Sequence, residues 1–138
     1  MKRKPIWALL LLVVLITAGG VLYYYYKKPP DIRRSTAHYQ TTAPALLAEF
    51  NQNESTANAK YLDKIVIVEG TISNIEPDGG SPAVFLETGD PMAAVTCSFY
   101  NTESAALKNL KTGTTIKIKG VCTGMLTDVV LNKCSIVE

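Results

Sequence analysis

Three cysteines, Cys97, Cys122 and Cys134, and a single histidine, His38, are the side chains in this sequence best suited to nucleophilic or metal-binding chemistry. His38 has no Cys, Asp or Glu spaced beside it as a partner ligand, so it reads as a solvated linker residue, and neither a metal nor a cofactor is expected. The sequence contains no G-x-S-x-G elbow, P-loop, H-E-x-x-H or paired C-x-x-C pattern. A Ser or Cys nucleophile downstream of residue 43 would lack the imidazole that usually activates it. Glu69, Glu76 and Glu87 are conceivable acids or bases, but eleven carboxylates on residues 35–138 fit a solvated surface better. The expectation is a protein that is not an enzyme.

The cysteines fit a core. Cys97 shares strand phase with Val95 and Phe99, Cys122 with Ile116 and Ile118, and Cys134 with Val130 and Ile136, which points all three inward. They read either as small buried hydrophobes or, in an oxidising compartment, as one disulfide and one leftover thiol. If the last hairpin pivots about Asp128, Cys122 and Cys134 stand opposite one another, which favours that pair. Cys97 with Cys134 is the competing choice.

The elements that carry these residues follow an apolar segment. Residues 6–26 (IWALLLLVVLITAGGVLYYYY) hold no charge, and as a helix they span roughly 31 Å, the thickness of a bilayer core. Trp7 near one end and Tyr23 to Tyr26 at the other suit the headgroup level. The competing reading is a cleaved signal peptide, with small residues at Thr17-Ala18-Gly19. The apolar run continues past Gly19 beyond a usual signal core, and the first cysteine is Cys97, far from any lipid-attachment position. Charge is divided unevenly. Residues 1–34 carry seven Lys or Arg against Asp31 alone, whereas residues 35–138 carry seven Lys, no Arg and eleven acids. Positive charges flank the apolar run on both sides, and an amino terminus held inside, as in a signal anchor, is favoured because the basic tail is short. This orientation puts the acidic domain across the membrane, in the periplasm if the cell is bacterial, with the bilayer itself as the partner of residues 6–26.

The expected organisation is a basic tail over 1–5, a transmembrane helix over 6–26, a flexible tether over 27–42 and a folded domain over 43–138. The tether is rich in proline and hydroxyl residues and has no apolar periodicity. Leu46, Leu47, Phe50, Ala57 and Tyr61 then predict one or two amphipathic helices. Strands are expected over 65–75, 83–88, 93–100, 115–124 and 129–137, with Gly70 bending the first. A short helix is expected over 103–110, capped near Thr102 and stopped before Gly113.

Three strands, a helix and two strands, led by one long bent strand, describe a mostly β fold: a five-stranded OB-fold Greek-key barrel with N-terminal helices, preceded by one transmembrane helix. The run Tyr61, Lys64, Val66, Val68, Gly70, Val95, Cys97, Phe99, Leu107, Leu110, Gly113, Ile116, Ile118, Gly120, Cys122, Gly124, Val129, Leu131, Cys134, Ile136 resembles the tRNA_anti-like family of bacterial OB-fold proteins, many of them exported or membrane-anchored. The resemblance covers about residues 43–138. It implies the fold and brings no catalytic residues, and the tRNA in its name reflects a fold analogy.

OB-folds ordinarily bind along their second and third strands, between the first and last hairpin loops. That location selects Phe85, Thr96, Ser98 and Tyr100, with loop residues Asp78, Gly79, Gly80, Thr127 and Asp128, as candidate contacts. Residues 83–100 contain no Lys or Arg, while Glu87 and Asp90 are negative. Nucleic acid needs cations for its phosphates, so this acidic domain disfavours it, although Lys108, Lys111, Lys117, Lys119 and Lys133 are available for a patch. The reading is a membrane-anchored, noncatalytic binding or assembly module for a protein or an envelope saccharide, with a single-stranded nucleic acid or tRNA as the alternative.

Overall fold

In a computed structural model the described residues are 4–27 and 31–138; the first three residues of the basic tail and Lys28-Pro29-Pro30 of the tether lie outside them. The chain divides into two compact units, one ending at Pro30 and the other running from Asp31 to Glu138. In the first, helix α1 spans Lys4–Tyr26. Its segment Ile6–Tyr26 has a mean hydropathy of 2.5 and every side chain exposed, so it is long and apolar enough to cross a membrane.

The second unit begins earlier than its sequence pattern suggests. Ile32 is buried, and strand β1, Tyr39–Thr42, pairs in parallel with Val66–Glu69. The expectation of a flexible tether through residue 42 therefore does not describe residues 31–42, although His38 itself is exposed. The His38 amide donates to the Ile65 carbonyl at 2.7 Å, and its Nδ1 accepts from the Ile65 amide at 3.2 Å. Lys119 Nζ donates to the carbonyls of Arg33 and Ser35, and Arg33 pairs with Glu103. These are backbone and charge contacts made at an edge left open by the barrel, and such contacts leave no apolar period in the sequence.

Helices α2, Ala43–Gln52, and α3, Glu54–Tyr61, follow with little between them. Thr42 caps α2 by accepting from the Ala45 amide, with Pro44 in the first turn, where its missing N–H costs nothing. Asn53 ends α2 and caps α3, its Oδ1 accepting from the Thr56 amide at 3.0 Å. The shared cap turns the chain so that Leu46, Leu47, Phe50, Ala57 and Tyr61 are all buried. Tyr61 stacks near Phe50, with ring centroids 6.2 Å apart, and its hydroxyl donates to Glu49 Oε1 at 2.8 Å. The ammonium of Lys60, 2.8 Å from the other oxygen, holds the Glu49 carboxyl below its ordinary pKa.

The barrel strands are β2 (Ile65–Glu76), β3 (Ala83–Leu86), β4 (Val95–Phe99), β5 (Thr115–Met125) and β6 (Val129–Val137). Their order is β2-β3-β4-β6-β5, and β5 closes back on β2. The long β2 serves both seams: Ile65–Thr71 pair with β5 and Ile72–Glu76 with β3. The register breaks between Ile72 and Asn74, where the partner changes. Gly70 also makes room for its neighbours. A Cβ there would stand 3.0 Å from that of Ala43 and 3.2 Å from that of Leu86, so its absence lets α2 and β3 close over the strand.

The helix expected over 103–110 is shorter, a 3-10 turn at Asn101–Glu103 followed by α4 at Ser104–Leu107. Of these residues only Leu107 is buried. The larger share of helical packing comes from α2 and α3, which contact β2, β5 and β6.

Candidate functional site

Strand β4 alternates as a two-faced strand should, and β3 does so from Val84 on, Ala83 being buried. Val84, Leu86, Val95, Cys97 and Phe99 are buried, and Phe85, Thr96 and Ser98 are half-exposed on the opposite phase. The register sets Asn74 beside Phe85, Phe85 beside Thr96, and Thr96 beside Val130, so four strands contribute one row across the outer surface. Ser73 Oγ donates to the Phe85 carbonyl at 3.1 Å. Ser98 lies one step along β4, opposite Ala83, and Tyr100 follows at the strand end with 46% of its surface exposed.

Asp128, in the turn between β5 and β6, is brought to this row. Its carboxylate accepts from Thr96 Oγ1 at 2.8 Å and from the Ala94 amide at 3.0 Å, while the Val129 amide donates to the Ala94 carbonyl at 3.2 Å. Thr96 and Asp128 thus hold one another and fix the last loop against the start of β4. Removing the carboxylate in Asp128→Ala strands both donors, and hydrogen bonds to charged groups contribute about 1.5–3 kcal/mol each. We expect a loss of about that size in denaturant unfolding and faster amide exchange at Ala94. An unchanged exchange rate would show that the loop is held by something else.

The remaining candidates are placed less centrally. Thr127 is exposed beside Asp128, and Leu126 on the same turn is 92% exposed. Asp78, Gly79 and Gly80 are exposed in the β2–β3 turn, where Asp78 pairs with Lys108 at 3.1 Å. The structure ties that turn to the segment after α4 and ties Asp128 to β4.

The expected lysine patch is largely used internally. Lys117 faces Glu69 at 3.6 Å, Lys119 holds the two carbonyls of residues 33 and 35, and Lys108 holds Asp78. Lys133 is exposed on β6 at a residue with φ of 55°. Beside Asp128 the β3–β4 loop shapes a cleft of about 480 Å³ whose lining includes Glu87, Thr88, Asp90 and Met92. Thr88 Oγ1 donates to the Ala93 carbonyl at 2.6 Å and Asp90 Oδ1 accepts from the Met92 amide at 2.8 Å, which fixes the shape of the loop. The turn-forming residues Gly89-Asp90-Pro91 are the sequence signal for this loop. Among the described residues no group of three or more His, Cys, Asp or Glu side chains is placed to hold a metal ion.

The cysteines correct one pairing. All three are buried thiols. Cys122 stands opposite Leu131, not Cys134, because the β5–β6 register slips between Lys119 and Val121 and again between Cys122 and Gly124. The same irregularity moves Cys134 out of phase with Val130, which lies in the outer row, and into phase with the core. Burial pushes the Cys122 thiol pKa up.

The sequence matches the family described as tRNA_anti-like over residues 1–136. No curated protein gives a match. Among solved structures, one described as a "putative nucleic acid-binding lipoprotein" from Klebsiella pneumoniae is similar at a TM-score of 0.61 and 25% identity, covering 72% of this chain and 92% of that one. A structure described as a "putative aspartyl-tRNA synthetase" from Leishmania major is similar at a TM-score of 0.47 and 12% identity, covering 88% of this chain and 26% of that one. With a five-stranded closed barrel, its helices, and a family match over nearly the whole sequence, this chain belongs to the tRNA_anti-like family of OB-fold proteins.

Proposed function

We propose that this protein is a noncatalytic binding module, anchored in a bacterial inner membrane by residues 6–26, that offers the outer row of β3 and β4 to an uncharged envelope saccharide in the periplasm. The observation that supports this reading is the chemistry of that row. Phe85 offers an aromatic face to the C–H side of a sugar ring, with Asn74, Thr96 and Ser98 as hydrogen-bonding neighbours. Glu87, Asp90 and Asp128 stand at one end, and four of the domain's seven lysines, Lys60, Lys108, Lys117 and Lys119, are engaged elsewhere. Such a field repels phosphates and leaves a neutral ligand unaffected. Tyr100, Thr127 and the 78–80 turn are the outlying contacts a longer chain of sugars would reach. A protein partner docking on the same row is the assembly version of this reading.

The Klebsiella protein's description favours a second reading, in which Phe85 stacks a base of single-stranded nucleic acid and Lys133 meets its backbone. Titration of the 31–138 unit with neutral oligosaccharides and with single-stranded RNA, at low and physiological salt, separates the two. The saccharide reading expects salt-insensitive binding weakened at least about tenfold in Phe85→Ala, the loss of one aromatic anchor. Micromolar RNA binding that falls steeply with salt would transfer the site to nucleic acid.

A further inference from the structure

We propose that Cys97 and Cys134 form a disulfide by exchange with a disulfide oxidant, leaving Cys122 as the unpaired thiol. Strands β4 and β6 are parallel neighbours, with Cys97 opposite Leu131 and Phe99 opposite Cys134. Two residues of β4 therefore match three of β6, and the extra residue, in the stretch holding Lys133 with its positive φ, draws Cys134 along the strand toward Cys97. Both side chains are buried, at 0% and 1% exposure. Burial, and after it the nearby Cys97 thiol, raise the Cys134 pKa well above that of a free thiol. Gly120 on β5 leaves the space that the Cys134 sulfur fills, since a Cβ there would stand 2.6 Å from Sγ. Cys122 is held elsewhere: its amide donates to the Lys64 carbonyl, and its carbonyl accepts from Asp63.

In the exchange, one cysteine thiolate attacks a sulfur of the oxidant, whose S–S bond breaks and releases the first thiolate. The second cysteine thiolate then attacks the protein sulfur of the mixed disulfide, forming the Cys97–Cys134 bond and releasing the second. Two electrons pass from the cysteine sulfurs to those of the oxidant, and the two cysteine protons end on the departing thiols. Because both thiols are buried, reaction requires opening of the β4–β6 seam, so sub-denaturing urea accelerates it.

The test equilibrates the full chain in detergent with oxidised glutathione and sub-denaturing urea, quenches in acid, alkylates free thiols and digests with trypsin. Cleavage after Lys64, Lys108, Lys119 and Lys133 puts each cysteine on its own peptide, 65–108, 120–133 and 134–138. The expected product joins 65–108 to 134–138, two hydrogens lighter than the separate peptides, with Cys122 alkylated. Cys122→Ala is expected to give the same link, and this variant keeps the question answerable if Cys97→Ser or Cys134→Ser does not fold. Three alkylated cysteines in the native sequence, or a link that contains 120–133, would overturn the proposal.

Discussion

Phe50→Ala is expected to lower the unfolding free energy of the 31–138 unit by about 3–5 kcal/mol, as much as a substitution in the middle of a barrel. Phe50 is fully enclosed and stacks near Tyr61, which is equally buried and tied by its hydroxyl to Glu49 on the same helix as Phe50. Truncation removes the ring, its stacking partner's contact and the seal between α2 and the strands, with no exposed surface able to collapse inward cheaply. Denaturant unfolding followed by circular dichroism would measure it, and the Tyr39 to Tyr61 edge contact, with centroids 5.3 Å apart, makes tyrosine emission a second probe. The expected outcome is one transition by both probes, shifted to lower denaturant. A loss under about 1 kcal/mol, the size of an ordinary surface change, would mean that α2 and α3 are an appendage to the barrel. Two separate transitions would mean the same.

Gly120→Ala is the second large effect, expected at about 1–3 kcal/mol from overpacking alone. The new methyl would stand 2.6 Å from Cys134 Sγ, 3.1 Å from Leu131 Cβ and 3.3 Å from the Asn132 carbonyl oxygen. The first neighbour is a removable side chain; the other two are a Cβ and a backbone atom that move only with β6. Cys134→Ala in the Gly120→Ala background should therefore recover part of the loss, and a double-mutant cycle should give a coupling near the size of the relief. Additive losses would show that the sulfur does not occupy the space above Gly120.

Alternation along β3 and β4 made the inward and outward faces legible, because residues of one strand face need only local order to be sorted. Phe85, Thr96 and Ser98 are outward as that alternation implies. The same rule failed on β6: Val130 and Cys134 share parity in the sequence but lie on different faces, because a bulge changes the count between them. A bulge is a matter of two strands and their registers, and no single strand's composition announces it. The pairing of Cys122 with Cys134 rested on an unbroken hairpin and fell with it. Residues 31–42 failed differently, since their attachment is made of backbone pairing and a few polar contacts that leave no apolar pattern.

By itself the sequence determined the apolar helix over 6–26, the succession of strands and helices from residue 43 on, and the acidic character of the domain, because hydropathy, periodicity and charge are properties of the chain before it folds. Only the tertiary structure decided that α2 and α3 supply most of the helical packing, that Asp128 is bound to Thr96, that Lys60, Lys108, Lys117 and Lys119 are engaged internally, and that a bulge draws Cys134 along β6 toward Cys97. Each of these depends on which strand edges meet and in what register, and that is set by closing the barrel as a whole.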